Sequence, residues 1–362
     1  MNKIIYLDAA ASYQKSNAII DAEADFLRNR YANAGRGICG RAAAVDDMVT
    51  TTRQKVAKFI NADVHQVVFT AGATDGLNRI VSMLKPNANT VVAVSDIDHH
   101  SARLPWVGAG TRIAVCDLYN NFNIDVSRVP YADIMVITAM SNVLGVAQDV
   151  AAIIKAARNK NPNVITIVDA AQFVVHDEID VKKWDCDFMV FSAHKIGADT
   201  GLGILYIKNP DLILPDKFGG GMVARVAGNK MILNIAPERF EAGTLPLTQI
   251  AGLGIAIDEI KHNRPNLDLI KYMYDELSQI PRIRILSART ATILTFVVDG
   301  MHVLDFGAMV GARGVCLRVG TMCASWIHER LGVDGSVRIS VGAYNTTDEV
   351  ATAVQIIKGI VK

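Results

Sequence analysis

Short apolar runs alternate with helical patterns between residues 65 and 207. A stretch such as DVAAIIKAARNK predicts a helix, because Val150, Ile153, Ile154 and Ala157 fall on one face of it. Alternating strands and helices predict a mostly parallel sheet covered on both faces, and such sheets bind ligands at the carboxyl ends of their strands. The runs that predict the strands are QVVFTAG, NTVVAVS, TRIAVCDL, ADIMVITAM, NVITIVDA, DFMVFSA and GLGILYI.

The pattern changes after RFEAGTLP. A long helical stretch over roughly residues 247–279 is followed by short strands in RIRILS, ATILTFVV, GVCLRV and SVRISV. A last helix follows, with Thr346 or Thr347 as its N-cap. These elements predict a smaller α+β domain. We expect a large domain over residues 15–250 and a small domain built from residues 1–14 and 251–362, with the boundary within or beside a helix.

The composition is that of an ordinary folded protein. Of the 362 residues, 51% are hydrophobic and 20% are charged, which excludes a disordered chain. The formal charge is +1 with no dense basic run, so nucleic acid is not an expected partner. No segment approaches the roughly 18 apolar residues of a membrane span, and Asp8 interrupts the first apolar stretch too early for a secretory signal. We therefore expect neither a membrane partner nor secretion.

Five cysteines are scattered along the chain. They include no C-x-x-C pair, so we expect neither a metal site nor a disulfide framework, and a reducing, cytoplasmic setting fits best. Cys116, Cys186 and Cys316 lie in or beside apolar strands and are expected to be buried. Taken on its own, Cys323 in RVGTMCASW fits a buried small residue better than a reactive thiol.

Polar residues follow two of the predicted strands. Asp169 ends one strand three residues before Gln172, and a carboxylate at the mouth of an apolar sheet needs a positive partner or caps a helix. Ser192, His194 and Lys195 follow the next strand. A partly desolvated lysine there would have a lowered pKa and could form a Schiff base, although a strand-end lysine taken alone is usually a surface residue.

Three further strand ends carry candidate residues. Ala73 and Thr74 open a helix whose free N–H groups could bind phosphate, unless Thr74 only caps the helix. His99 and His100 follow another strand, where one imidazole could stack on an aromatic ligand or simply lie on the surface. Asn142 follows ITAM at a third strand end.

The order of these residues resembles that of fold-type I pyridoxal-phosphate enzymes of the class V aminotransferase group. Within that group it is similar to the SUF-type cysteine desulfurases and selenocysteine lyases. The resemblance implies a large domain with a mostly parallel central sheet and a smaller α+β C-terminal domain that carries a catalytic cysteine loop. It covers nearly the whole chain, in YLDAAASYQKS, FTAGATDGLN, MSNVLG, VDAAQ, DCDFMVFSAHK, GGGMV, RFEAGT, LRVGTMCA and AYNTTDEV.

The resemblance implies roles around a pyridoxal 5′-phosphate ring. Lys195 would hold the cofactor as a Schiff base and later move protons at the substrate Cα. Asp169 would pair with the pyridine nitrogen, and Gln172 would hydrogen-bond the phenolate oxygen. His99, rather than His100, would stack on the ring.

The resemblance also implies a phosphate site shared between subunits. The phosphate would lie at Ala73 and Thr74, with Ser192 and His194 as further donors. Thr244, in the EAGT segment, would reach the phosphate of a neighbouring subunit. A homodimer is therefore expected.

The substrate residues follow from the same resemblance. Arg338 would grip the carboxylate of L-cysteine through its planar fork, with Asn142 assisting. Cys323 would take the substrate sulfur as a persulfide and leave L-alanine, with Gly320 allowing the turn of its loop. Arg318 would lower the pKa of that thiol or help to bind substrate. An acceptor protein would then receive the sulfur, for iron–sulfur clusters or sulfur-containing cofactors.

Several positions depart from the family pattern. Thr321 and Met322 stand where SUF-type enzymes have two histidines, and Gly35 replaces another histidine. Cys39, in a loop that borders the active site in the family, is a second candidate reactive thiol. Selenocysteine or cysteine-sulfinate lyase, another class V transferase, and a scaffold without catalysis stay open as alternatives. Neither the acceptor nor the preference between cysteine and selenocysteine follows from the sequence.

Overall fold

A seven-stranded sheet lies at the centre of the larger part of the molecule. The computed structural model describes residues 4–35 and 37–361. After the first strand β1 (Ile5–Tyr6), the sheet contains β2 (Val67–Thr70), β3 (Val91–Val94), β4 (Arg112–Val115), β5 (Ile134–Thr138), β6 (Ile165–Asp169), β7 (Phe188–Ser192) and β8 (Gly203–Ile207). Their spatial order is β2-β8-β7-β6-β5-β3-β4, and only the pairs made by β8 are antiparallel. All seven predicted strands and the mostly parallel sheet are confirmed.

Helices cover both faces of this sheet. Every residue of β2, β5, β7 and β8 is buried, and successive residues such as Val68 and Phe69 belong to cores on opposite faces. An exposed hairpin, β9 (Val223–Ala227) and β10 (Lys230–Leu233), follows β8. The helices of this part are α1 (Asn17–Asp25), α2 (Gly40–Phe59), α3 (Ala73–Leu84), α4 (His100–Gly108), α5 (Val150–Lys160), α6 (Phe173–His176), α7 (Val181–Trp184) and α8 (Leu247–His262).

The smaller part is an antiparallel sheet with helices, as expected. Its strands are β11 (Ile283–Ile285), β12 (Leu294–Val298), β14 (Arg318–Gly320) and β15 (Ser336–Ile339), in the order β11-β12-β15-β14. Strand β13 (Val315–Cys316) pairs in parallel with β1. The helices are α9 (Leu267–Leu277), α10 (Val303–Gly311), α11 (Ser325–Leu331) and α12 (Thr347–Val361). Within the described ranges, no helix is both long and apolar enough to span a bilayer.

The predicted helical stretch 247–279 is wrong in one respect, because it is two helices. Helix α8 ends at His262, Pro265 cannot continue it, and Asn266 caps α9 by accepting a hydrogen bond from the Asp268 N–H. The buried residues of α8 belong to the core of the larger part, whereas the second core resumes at Leu269. The domain boundary expected at residue 250 therefore falls inside a helix of the larger part.

Two local expectations are also settled. Thr346, and not Thr347, caps α12: its hydroxyl accepts from the Glu349 N–H at 3.3 Å. Cys116 and Cys186 are buried as predicted, but Cys316 is exposed and its predicted burial is wrong. Strand β13 has only two residues, and alternation turns Val315 into the core and Cys316 outward.

The N-terminal segment joins the two parts. Ile5 and Leu7 belong to the smaller core, whereas Ala9 and Tyr13 belong to the larger one. Between them, Asp8 bridges to Ser340 at the end of β15. The chain therefore crosses from one core to the other at residue 8.

A buried ion pair ties the EAGT segment to the large sheet. The Arg53 guanidinium donates to both carboxylate oxygens of Glu241, at 2.7 and 2.8 Å, and the side chains are only 7% and 4% exposed. Glu241 also accepts from the Phe69 N–H at 2.7 Å. Removing one partner of such a pair leaves a buried charge without compensation.

Replacing Arg53 with methionine should lower the free energy of unfolding by about 3–5 kcal/mol, because it strands the Glu241 carboxylate. Urea denaturation followed by circular dichroism measures the change. Lys271→Met breaks an exposed pair with Asp268 and should cost less than about 1 kcal/mol. Equal costs in the two variants would contradict this account of the buried pair.

Candidate active site

A cavity of about 320 Å³ opens where the carboxyl ends of the parallel strands face the smaller part of the molecule. Both parts contribute to its lining. The structure places most of the residues proposed from the sequence in it: Ala73, Thr74, His99, Asn142, Asp169, Gln172, Ser192, His194, Lys195, Arg318, Cys323 and Arg338. Thr244 is exposed and lies outside the set of described residues that line the cavity.

Lys195 follows strand β7 in a single short turn. Its Nζ donates to the carbonyl oxygens of Ala10 at 2.6 Å and Ala11 at 3.1 Å. Burial, reinforced by the charge of Arg338, lowers the pKa of Lys195 to about 8 even though Asp169 acts in the opposite direction. The lowered pKa enlarges the neutral fraction of this amine near neutral pH, and the neutral amine is the form that acts as a nucleophile.

Asp169 and Gln172 follow strand β6. Asp169 accepts a hydrogen bond from the Ala171 N–H at 3.0 Å, and burial raises its pKa. The Gln172 Nε2 donates to the Ala10 carbonyl at 2.6 Å. Its Oε1 is buried without a hydrogen-bond partner among the described residues. A buried polar atom left in this state indicates that a ligand or water completes the site.

The start of helix α3 forms a small concave cradle. Gly72 has φ +147°, and a Cβ added at Gly203 would lie only 2.5 Å from the Gly72 Cα, so these two backbones meet closely. The Ala73 N–H donates to the Ser192 hydroxyl at 2.8 Å. Since the first N–H groups of a helix attract anions, the cradle is suited to a phosphate.

His194 lies beside this cradle. Its Nδ1 is 3.3 Å from the Ser12 hydroxyl oxygen. Burial, together with the charge of Lys195, lowers the pKa of His194 to about 4. The imidazole is therefore neutral at neutral pH and acts there through hydrogen bonds rather than through charge.

His99 caps helix α4 and faces the cavity. Its Nδ1 accepts from the Ser101 N–H at 3.1 Å, which leaves the ring proton on Nε2. Burial, with Lys195 and His100 adding to it, lowers the pKa of His99 to about 4. The neutral ring offers a flat face to a ligand. His100 is not among the described residues that line the cavity.

Two arginines share the carboxylate of Asp8. Arg338 is buried on β15, and its Nη2 lies 2.9 Å from Asp8 Oδ1, while its Nη1 donates to the Asn142 carbonyl at 2.9 Å. Arg318, which is half exposed, lies 2.8 Å from Asp8 Oδ2. Within the described chain, the Arg338 Nε has no hydrogen-bond partner. Arg338 thus lines the cavity with a buried guanidinium that is not fully hydrogen-bonded within the described chain.

The sequence reasoning missed Asp8, which it treated only as an interruption of an apolar stretch. The available signal was a carboxylate directly after a short apolar strand in YLDAAAS. It also missed the carbonyl groups of Ala10 and Ala11, and main-chain acceptors leave no trace in residue types. Met140 and Met322 add apolar walls to the cavity.

The loop that carries Cys323 is held by hydrogen bonds to its main-chain carbonyl groups. Met322 and Cys323 both have positive φ, 50° and 54°. The Asn142 Nδ2 donates to the Met322 carbonyl at 2.8 Å, and the His100 N–H donates to the Cys323 carbonyl at 2.7 Å. The Cys323 side chain is exposed and lines the cavity. Its thiol is therefore open to a molecule held beside Lys195 and Arg338.

The described residues include no group of histidine, cysteine and acidic side chains suited to a metal ion.

Comparisons with known proteins point to the same family that the sequence resembles. The family model of class V aminotransferases matches residues 5–352. A cysteine desulfurase of Klebsiella pneumoniae subsp. pneumoniae is 35% identical over 96% of this chain and 91% of its own length. One from Pectobacterium atrosepticum is 32% identical over 96% and 90%.

Solved structures agree with the fold. The apo cysteine desulfurase of Thermococcus onnurineus NA1 superposes with a TM-score of 0.94 at 29% identity, over 99% of this chain and 94% of that one. The cysteine desulfurase CsdA of Escherichia coli, in an S-sulfonic acid form, gives 0.90 at 29% identity, over 98% and 94%. The expected fold-type I architecture is confirmed.

The partly buried, neutral state of His99 predicts a pH effect on stability. The pKa of His99 is about 4 in the folded protein and 6.5 in the unfolded chain. The folding stability that depends on its neutral ring is therefore fully present above pH 6.5 and is lost as the pH falls towards 4. His99→Asn keeps a cap acceptor for α4 but removes this titration. The variant, free of cofactor, should therefore lose less stability than the wild type between about pH 7 and about pH 5.

Urea denaturation at the two pH values measures this difference. His302→Asn makes the same change at the N-cap of α10 and corrects for the cap itself. Equal losses in the wild type and His99→Asn would show that His99 is not held neutral by burial.

Proposed function

Because the chain belongs to the class V aminotransferase family, we propose that it is a pyridoxal 5′-phosphate-dependent cysteine desulfurase. It converts L-cysteine to L-alanine and keeps the sulfur on Cys323 as a persulfide. The observation that carries this proposal is one cavity lined by a partly buried amine of lowered pKa, a buried guanidinium and an exposed thiol: Lys195, Arg338 and Cys323. The full-length likeness to proteins named cysteine desulfurases supports it.

The lining of the cavity fits this cofactor. The unpartnered Gln172 Oε1 and the cradle at Gly72 are features that a polar, phosphorylated ligand would complete. Lys195 would hold the cofactor, and Asp169 would face its pyridine nitrogen. When bound, the cofactor withdraws electrons from the substrate Cα, which makes the Cα proton acidic and the C–S bond easier to break. The residues that would surround its ring and phosphate are Ala73, Thr74, His99, Gln172, Ser192 and His194.

Lys195 is the residue that moves protons at the substrate Cα. Its pKa of about 8 lies near neutral pH, so the amine can both accept and return a proton. The carbonyl groups of Ala10 and Ala11 orient the Nζ towards one side of the cavity. The neutral His99 does not compete for that proton.

The substrate is oriented by its carboxylate. The Arg338 guanidinium lines the cavity, and the Asn142 and Arg318 side chains lie in the same lining. A guanidinium binds a carboxylate with paired hydrogen bonds and therefore fixes its direction. This grip turns the substrate sulfur towards the mouth of the cavity, where Cys323 lies.

Cys323 accepts the sulfur. Its thiolate attacks the substrate sulfur, and a new S–S bond forms while the substrate C–S bond breaks. The electron pair of the broken bond stays on the substrate carbon, which takes a proton and becomes the methyl group of alanine. The persulfide on Cys323 carries the transferred sulfur.

The active enzyme is a homodimer. Thr244 is exposed and outside its own cavity, in keeping with a contact to a neighbouring subunit's phosphate site. The hairpin of β9 and β10 presents Val226, Met231 and Ile232 at 51–61% exposure, which an interface would cover.

The persulfide is passed to an acceptor protein. Because Cys323 is exposed, such a protein can reach the persulfide. The acceptor uses the sulfur for iron–sulfur clusters or other sulfur-containing cofactors. A reducing cytoplasm fits the five free thiols.

Cys323→Ala should keep the cofactor absorbance but lower alanine formation from L-cysteine at least about 100-fold, because the sulfur loses its acceptor. Alanine and sulfide are measured in the presence of a reducing thiol. Cys316→Ala removes an exposed thiol outside the lining of the cavity and should keep the wild-type rate.

Wild-type alanine formation by Cys323→Ala would exclude the persulfide mechanism. A protein that binds no pyridoxal phosphate would exclude the cofactor assignment itself.

A further inference from the structure

His100, the first residue of helix α4, fastens the loop that carries Cys323. Its main-chain N–H donates to the Cys323 carbonyl at 2.7 Å. Its imidazole Nε2 lies 3.0 Å from the Ser325 hydroxyl oxygen and accepts from the Ser325 N–H at 3.3 Å. The residues on both sides of Ala324 are therefore held by one histidine.

An aromatic contact strengthens this attachment. The His100 ring meets the Trp326 ring edge to face, with centroids 5.3 Å apart. The Arg103 guanidinium, one turn further along α4, lies 4.3 Å from the Trp326 ring centroid. Trp326 is therefore gripped by two residues of the same helix.

Helix α11, which begins at Ser325, is also fixed to the smaller sheet. The His328 Nδ1 lies 2.9 Å from the Ala324 carbonyl oxygen, and its Nε2 lies 2.9 Å from the Ser336 hydroxyl oxygen. On the other side, Arg330 reaches Asp96 of the larger part at 3.3 Å. Cys323 thus precedes a helix that is attached to both parts of the molecule.

The two neighbouring histidines face different parts of the molecule. His99 turns into the cavity, whereas His100 turns to the loop, with the ring centroids 6.3 Å apart. Because both residues start the same helix, a shift of the loop relative to His100 is also a shift of the thiol relative to the bound ligand.

We propose that His100 is a positioning residue for Cys323. By holding residues 323–326 against α4, it keeps the thiol at the distance from the substrate that sulfur transfer requires, and it takes no part in the chemistry. The proposal rests on the proposed function, since it assigns the reacting sulfur to Cys323.

His100→Ala in the holoenzyme tests this assignment. Hydrogen exchange of the peptide spanning residues 321–331 should accelerate, because Ser325 and Trp326 lose their anchors. The kcat for alanine formation should fall about tenfold, as expected for a misplaced reacting group, while KM and the cofactor absorbance stay at wild-type values. His100→Gln, which restores an acceptor for Ser325, should recover part of both losses.

His302→Ala is the matched control, because it removes an exposed capping imidazole from another helix of the chain. It should change neither exchange in the loop nor kcat. Unchanged exchange and unchanged kcat in His100→Ala would overturn the proposal. A changed cofactor absorbance with unchanged exchange would also overturn it, because His100 would then act through the cofactor.

Hydrogen exchange keeps the two proposals apart. If the wild type formed no alanine, the proposed function would fail, and the exchange rates would still show whether His100 holds the loop.

Discussion

The site depends on the ion pairs that the buried carboxylate of Asp8 makes. This carboxylate lies where the chain crosses from the smaller core to the larger one, and it pairs with Arg338 and Arg318. Without it, Arg338, whose side chain is 3% exposed, would be a buried charge without an anionic partner and would cost several kcal/mol. A few residues on, the carbonyl groups of Ala10 and Ala11 hold Lys195. One short segment therefore sets the guanidinium and the amine relative to each other.

The lining of the cavity comes from two parts of the molecule. Lys195, Asp169 and His99 lie at or after strands of the large sheet, whereas Arg338 lies on β15 and Cys323 follows β14 in the smaller sheet. The relative placement of the two parts therefore decides the distance between the amine and the thiol. That placement is fixed by close contacts. A Cβ at Gly145 would meet the Ile293 nitrogen at 2.6 Å, and the Thr295 hydroxyl donates to the Val143 carbonyl.

The sequence correctly predicted those structural features that a single helix or strand determines. Apolar runs located the strands, since a strand buried on both faces must be apolar throughout, and the polar residues after them share one edge of the sheet. Asp8 and Arg338 are 330 positions apart, and residue types do not reveal which distant charges meet. The helical pattern over residues 247–279 likewise did not reveal that α8 packs into the larger core rather than the smaller one. Pro265 could have predicted the break between α8 and α9 from the sequence alone. No residue pattern predicted that Cys316 lies on a two-residue strand that turns its side chain outward.

The central claim is that Cys323 receives the sulfur of a cysteine held beside Lys195. Peptide mass spectrometry after incubation of the holoenzyme with L-cysteine carrying a heavy sulfur isotope tests it most directly. The account predicts one heavy sulfur atom on the peptide that contains Cys323 and none on those that contain Cys39 or Cys316. A labelled Cys39 or Cys316 with an unmodified Cys323 would contradict it.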